Sequence, residues 1–392
     1  MRLTMSRRSR WAVPATALAV TGGVIAGLQI PAAQASPALP PRTPAQLLAS
    51  VGADAKVPPL TGTVVETTSL GLPALPQTGN PTSLSSLLTG SHTVNVYYQS
   101  PQHFRVQVPQ TMSETDAIRD GNKLWLWEST RNSVTEFTWA KGALRHAERP
   151  PATPALTPQQ AADAILKAVG KTTTVRVQPS VMVAGEPAYQ LVLAPKDARS
   201  LIGQVVIAVD GKYGFPLRVQ VYAKGAKSPA FQVGYTQLSL VAPAPANLAF
   251  TPPPGATVKV ENLGQGSGHA KRPGGGQAPA GVGTYGSDWL TVAAFPLSAL
   301  TAPGTSALTP SGTGPASSPS ITASPAGTGA LGGDSQEVIR ALFAAAKPVS
   351  GPWGSGTLLR TSLVSMLITG GEVYVGAVQP SVLEAAVGHT SG

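Results

Sequence analysis

Residues 113–127 read Ser113-Glu114-Thr115-Asp116-Ala117-Ile118-Arg119-Asp120-Gly121-Asn122-Lys123-Leu124-Trp125-Leu126-Trp127. Asp120-Gly121-Asn122 is turn chemistry, so the flanking runs are two neighbouring antiparallel strands. The second strand is informative because it does not alternate. A strand in an antiparallel sheet with one wet face places polar residues at every second position. Leu124-Trp125-Leu126-Trp127 is apolar at both parities, as is Leu191-Val192-Leu193. Part of this sheet is therefore covered on both sides, by helices or by something hydrophobic.

Working outward, further stretches rich in β-branched and aromatic residues read as strands. On the N-terminal side they are Thr61–Leu70, His92–Gln99 and His103–Pro109; Val134–Trp139 follows the double-apolar run. Beyond it come Thr173–Val183, Ala188–Pro195, Gln204–Asp210, Pro216–Ala223 and Phe231–Leu240, with a hairpin turn at Asp210-Gly211-Lys212-Tyr213-Gly214. Thr43-Pro44-Ala45-Gln46 is a capping box with Pro at the first helical position, ahead of the apolar stripe Leu47, Leu48, Val51. Thr157-Pro158-Gln159-Gln160 repeats the device and predicts a helix ending near Gly170. About eleven short strands with one helix among them predict an α+β fold: a large antiparallel sheet with helices on one face. Residues 71–90 interrupt the first hairpin with a long Leu/Pro segment. Leu72, Leu75, Leu84, Leu87 and Leu88 make it a candidate lid; the alternative is a loop that patches its own core.

The 392 residues suffice for two domains once ends and linkers are set aside. Only 12% are charged, whereas Gly (42) and Pro (38) are abundant and partly gathered in low-complexity stretches. Arg exceeds Lys, and together with the Ala, Gly and Pro content this hints at a high-GC bacterium. Four of the ten net positive charges are Arg2, Arg7, Arg8 and Arg10. The remainder are scattered, without the basic stripe and interleaved aromatics of a nucleic-acid binder. With no cysteine, disulfides, thiolate metal sites, Cys nucleophiles and a lipobox are all excluded. Those arginines precede an uncharged run from Trp11 to Ile30, and Ala33-Gln34-Ala35 supplies a signal-peptidase pattern. Residues 1–35 thus read as a signal peptide directing export to the cell envelope or beyond, the alternative being an uncleaved anchor.

Linker composition recurs at 262–283 and 301–333. Around the latter, residues 284–390 read as a small C-terminal α+β module. Its elements are Trp289–Phe295, a helix at Ser335–Ala346 capped by Asp334 and Glu337, strands Thr357–Thr369 and Glu372–Val378, and a last helix near Ser381–Val387 capped by Ser381 and Glu384.

Five segments in the 43–261 region share an order with a known group. They are Leu60-Thr61-Gly62-Thr63-Val64-Val65, the run Tyr98-Gln99-Ser100-Pro101-Gln102-His103-Phe104-Arg105-Val106, the hairpin 113–127, Pro187-Ala188-Tyr189-Gln190-Leu191, and Asp210 through Pro216-Leu217-Arg218-Val219. In this order they resemble the LolA/LolB lipoprotein-carrier and RseB/MucB superfamily, with its "S-P-x-x-F-R" strand turn and "D-G-x-x-L-W" hairpin, and with the long Leu/Pro insertion after the first strand they resemble its LolA-like envelope proteins of actinobacteria. The resemblance implies a half-open β-barrel with helices on its concave side and a hydrophobic cavity between. In that family the cavity takes acyl chains of lipoproteins or senses lipidic or unfolded envelope material. The C-terminal module is similar to the small second domain of RseB. The family's lipoprotein-gripping arginine has no certain counterpart here; Arg105 is the nearest.

The candidate cavity residues are accordingly Phe104, Trp125, Trp127, Phe137, Trp139, Tyr189 and Leu191, and Arg105 is the candidate headgroup or partner contact. Each competes with a plainer role, in the core or as a solvated strand residue. Glu114, Asp116 and Asp120 read as surface charges. The G-x-G-x-x-G at 327–332 lies in low-complexity sequence without a preceding strand, and the five histidines lack metal-ligand spacing. No G-x-S-x-G or S-x-x-K occurs. The expectation is a non-enzymatic, cofactor-free and metal-free binder whose partner is a lipid or acylated lipoprotein. The alternative is a regulatory module for an anti-sigma factor or other membrane protein.

Overall fold

The computed structural model describes residues 37–52, 57–72, 89–110, 112–140, 170–262, 283–298 and 341–388. The expected second helix at 157–170, Asp334 and Glu337, the lid residues Leu75, Leu84, Leu87 and Leu88, and the 1–35 segment lie outside them, Gly170 itself excepted.

Twelve strands form one open sheet: β1 (Leu60–Ser69), β2 (Thr89–Ser100), β3 (His103–Gln110), β4 (Ser113–Asp120), β5 (Lys123–Glu128), β6 (Ser133–Thr138), β7 (Thr173–Val183), β8 (Glu186–Pro195), β9 (Ile202–Asp210), β10 (Pro216–Ala223), β11 (Phe231–Ser239) and β12 (Thr257–Asn262). Their order is β12-β6-β5-β4-β3-β2-β1-β11-β10-β9-β8-β7. All eleven strands expected from the sequence are present, and every pairing among them is antiparallel. The twelfth was not foreseen. Thr257–Asn262 carries only two apolar residues and pairs in parallel with β6 at the sheet's edge, exposing Val258 and Val260.

Local chemistry fixes the ends of these elements. Helix α1 (Pro44–Gly52) starts with the expected capping box: Thr43 N–H donates to Gln46 Oε1 at 2.9 Å, and Gln46 N–H returns to Thr43 Oγ1 at 3.3 Å. At the β9–β10 turn the Asp210 carboxylate accepts from the amides of Lys212 (2.9 Å) and Tyr213, and Gly214 takes φ 78°. The β7–β8 hairpin turns on Ala184 (φ 50°) and Gly185 (φ 89°), a two-residue loop with both central residues left-handed.

A second sheet has the order β13-β14-β18-β17-β16-β15, from β13 (Gly283–Tyr285), β14 (Val292–Pro296), β15 (Lys347–Gly351), β16 (Gly354–Arg360), β17 (Ser365–Thr369) and β18 (Glu372–Gly376). Thr357–Thr369, expected as one strand, is β16 and β17 joined by a turn in which the Thr361 hydroxyl accepts from the amides of Leu363 and Val364. Two short helices, α2 (Pro245–Leu248) and α3 (Pro380–Gly388), complete the labelled elements. Ser381 does not cap α3 as expected. Pro380 is already helical, since its fixed φ and missing N–H suit the first helical position. α3 packs Leu383, Ala386 and Val387 onto Val292, Leu367, Tyr374 and Val378.

The two sheets meet. Ser200 bridges Val378, Leu201 N–H donates to Ala377 O (2.9 Å), Gln379 N–H to Arg199 O (2.8 Å) and Ser362 N–H to Leu70 O (2.9 Å). Leu70, Ala230 and Leu363 form a buried cluster at this junction, flanked by Leu72, Val221, Phe231 and Val364.

A left-handed residue other than Gly or Asn costs about 1 kcal/mol or more. Ala184→Asn, which creates the Asn-Gly pair favoured in this turn, is expected to raise the urea unfolding free energy by roughly 0.5–1 kcal/mol.

Candidate functional site

Directly paired residues on adjacent strands share a sheet face, so the register assigns each side chain to a side. The row Val177–Leu191–Ile207–Val219–Val233–Glu66 runs across β7 to β1. On β1 the same side carries Leu60, Gly62 and Val64. From there one row continues Leu60–Tyr98–Phe104–Arg119–Leu124–Phe137, and a second Gly62–Val96–Val106–Ala117–Leu126–Thr135.

Helix α1 lies on this side at the β7–β9 end. Leu47, fully buried, packs with Leu48 and Val51 against Val175, Val177, Tyr189, Leu191, Ile207 and Val209. Tyr189 is held further by its hydroxyl, which donates to Pro40 O (2.6 Å), and by the Arg42 guanidinium 5.1 Å above its ring. Tyr189 and Leu191 therefore support α1.

The β2–β6 end of the same side is apolar and only partly buried: Val94, Val96, Tyr98, Phe104, Val106, Val108, Leu124 and Leu126 all keep some exposure, while Phe137 closes the floor. At its rim stands Arg119, whose guanidinium lies 5.2 Å from the Trp139 ring centre. Trp139 is fixed through Asn122, which donates its side-chain amide to Trp139 O (2.9 Å) and accepts from Trp139 N–H (3.2 Å). Phe104, Phe137 and Trp139 are thus brought to one face with Leu124 and Leu126. Arg119 is a site residue that the sequence reading missed. Its signal was the cross-turn pairing with Leu124 that Asp120-Gly121-Asn122 implies.

Trp125 and Trp127 stand on the opposite side, as does Arg105. Residues 240–256, which carry α2, pass over this side, with α2 against β3 and β4. Phe250 packs on both indoles, at 6.0 Å from the Trp125 ring and 6.2 Å from that of Trp127. The double-apolar run in β5 is explained: its leucines serve one side and its tryptophans the other. Arg105, expected as a headgroup contact or a solvated residue, donates through Nε (2.8 Å) and Nη2 to Asp116 Oδ2. Asp116, expected at the surface, is fully buried. Glu114 is partly buried and accepts from Gln107 Nε2 at 2.6 Å. Neither was legible from spacing, since what covers them comes from residues more than a hundred positions downstream. Leu72 sits at the junction of the two sheets, against Leu342 and Leu359 as well as the Leu70–Leu363 cluster.

The geometry defines a class: an open, curved antiparallel sheet with a helix over one end of a face and an apolar, half-open surface at the other. Solved structures similar to this chain include the following. A chain of the Pseudomonas aeruginosa MucA/MucB complex is 13% identical, with 88% of this chain and 96% of that one covered and a TM-score of 0.40. A LolA superfamily protein from Nitrosomonas europaea is 10% identical over 54% of this chain and 99% of that one (TM-score 0.21), and the Mycobacterium tuberculosis lipoprotein LppX is 11% identical over 49% and 93% (TM-score 0.23). No protein-family model matches the chain, and neither does any curated protein.

Burial pushes the Asp116 carboxyl above the usual carboxylate range, against the opposing pull of Arg105. The folded chain then holds this proton more tightly than the unfolded one. Stability falls as pH rises from about 4 through the raised value, and Asp116→Asn should lack that slope in urea titrations at stepped pH. Arg105→Leu leaves a buried carboxylate without its counter-ion and is expected to cost about 3–5 kcal/mol. Adding Asp116→Leu to it should recover most of that loss, in a double-mutant cycle read by denaturant unfolding.

Proposed function

We propose that this chain is a non-catalytic binder of acyl chains, a carrier or sensor of lipid or lipidated protein that works outside the cytoplasm. The observation that carries the proposal is the asymmetry of the helix-bearing face. α1 seals the β7–β9 end, whereas Phe104, Val106, Leu124 and Leu126 at the other end stay partly exposed around a buried Phe137. Half-exposed apolar residues contiguous across β2–β5, beside the buried Phe137 of β6, mark a binding surface rather than a finished core. Arg119, at the rim with its guanidinium over Trp139, is positioned for a phosphate or carboxylate headgroup.

Magnitudes restrict the ligand. A buried methylene contributes ~0.8 kcal/mol, so a chain of about 16 carbons carries roughly 12 kcal/mol of transfer free energy. Association costs about 4–15 kcal/mol, so only long chains are retained, and chains shorter than about 8 carbons are not.

A second reading is a regulatory module whose C-terminal sheet docks a membrane protein. It is favoured by the backbone bonds that tie that sheet to the large one, beside the root of the 71–90 segment. In-cell photo-crosslinking from exposed Phe343 on the intact chain would capture such a partner; crosslinks confined to lipid would dismiss it.

Mass spectrometry of lipid extracted from the native protein should find long acyl chains. Leu126→Asp and Phe104→Asp are each expected to weaken displacement of a fluorescent fatty acid by at least about tenfold, because a carboxylate then stands in the apolar surface. A lipid-free protein that ignores fatty acids and lipopeptides alike defeats the proposal.

A further inference from the structure

At its β4–β5 end, the side of the sheet that carries the tryptophans holds two buried polar atoms with no partner. Asp116 and Trp127 are direct cross-strand neighbours on β4 and β5. Asp116 Oδ2 is taken by Arg105, but Asp116 Oδ1 and the Trp127 indole N–H are both buried without a hydrogen bond. Buried polar groups are ordinarily hydrogen-bonded, and here a donor and an acceptor without partners belong to directly paired residues. We propose that this side is a second binding site, for a neutral saccharide, in which one hydroxyl donates to Asp116 Oδ1 and accepts from Trp127 Nε1 while residues 240–256 act as its cover.

The chemistry selects the ligand. A bound cation would satisfy Asp116 but leave the Trp127 N–H without an acceptor, and Arg105 already balances the carboxylate's charge. An anion would serve Trp127 but has no hydrogen to give Asp116 Oδ1. A hydroxyl meets both demands, being donor and acceptor at once. The surroundings suit a sugar ring rather than a lone alcohol. Trp125 and Trp127 present two indoles on one side, for the C–H face of a pyranose. Asn95, Gln107 and Glu114 line the same side on the neighbouring strands, linked by Asn95 Nδ2 to Gln107 Oε1 (3.3 Å) and Gln107 Nε2 to Glu114 Oε2 (2.6 Å).

The cover is built to come away. α2 has no buried residue, and Val241 is 67% exposed. Pro243 is the one residue of 241–250 that is buried. The backbone bonds within the segment are local: Asn247 to Ala244, Ala249 to Pro245 and Ala256 to Pro253. Its hold on the indoles is Phe250, itself only partly buried and lying against both rings, where a sugar would stack. Phe250 thus competes with the ligand for the tryptophans.

The test is calorimetry and tryptophan fluorescence on the intact chain with four neutral probes: maltohexaose, mannohexaose, arabinohexaose and chitohexaose. At least one should bind saturably. Phe250→Ala should tighten it severalfold by removing the competitor, and Trp127→Phe, which keeps a ring but loses the N–H, should weaken it about tenfold. Thermal melts monitor the fold of each variant. Fatty-acid displacement should be unchanged in Trp127→Phe, because that indole faces away from the apolar surface, so loss of acyl binding alone would sink the lipid reading and leave this one standing. The saccharide site is refuted if neither wild type nor Phe250→Ala responds to any of the four sugars. Butylammonium binding in their place, or Trp127→Phe binding as wild type does, would overturn it equally.

Discussion

The unbroken pairing of β1 through β6 governs what this molecule presents to its surroundings. Along these strands the rows run from Leu60 to Phe137 and from Gly62 to Thr135 with a register shift only at the β2–β3 turn. Because side chains alternate strictly, a slip of one residue in β5 would exchange Leu124 and Leu126 for Trp125 and Trp127. The apolar surface would then gain two bulky indoles and lose the smooth aliphatic floor beside Phe137. Register is held by the turn at Asp120-Gly121-Asn122, where Gly121 adopts φ 59°, and by Asn122 binding Trp139 across the hairpin. The Arg105–Asp116 pair, across β3 and β4, holds it a second time, since a slipped strand would bury Asp116 without its arginine.

The two sides of the sheet consequently solve different problems. On the helix-bearing side, the short apolar stripe of α1 covers the β7–β9 end, and a separate buried cluster around Leu60 packs against Val96 and Tyr98. On the other, residues 240–256 lie over a polar network with two aromatic rings in its midst. A purely apolar core would be cheaper to bury than Asp116, Arg105 and Gln107 together. Their retention beneath a loosely seated cover, with two hydrogen-bonding atoms left over, is a physical conflict within the fold, and such conflicts collect where ligands bind.

Much of this was written in the sequence in terms that elementary chemistry can read. The capping box at Thr43–Gln46, the eleven strands and the turns at 120–122 and 210–214 follow from residue types at fixed spacings. The apolarity of Leu124–Trp127 at both parities said that both sides were covered without saying by what. Sidedness was the missing quantity. Phe104 and Trp125 both look like cavity residues until the register separates them. The burial of Asp116 was beyond reach, because α2, which lies against β3 and β4, arrives on the way to β12, a strand with two valines for a signal. Long-range closure of this kind leaves no local period to detect.

The junction between the sheets adds a further constraint on the apolar surface. Leu70, just before the Leu/Pro insertion, and Leu72, within it, are both held by the C-terminal part of the chain, through Leu363 on one side and Leu342 and Leu359 on the other. The strand that feeds the insertion, β1, is also the strand on which the helix-covered and half-open parts of the face meet. Its last residues therefore answer to three neighbours at once: β2, β11 and the second sheet. Ser69 N–H donates to Ala230 O and Leu70 O accepts from Ser362 N–H, so the chain leaves the large sheet already engaged with the small one. Any displacement of the second sheet must strain the Leu70–Leu363 cluster and, through it, the end of β1. The C-terminal sheet is thus mechanically part of the frame that holds the binding surface.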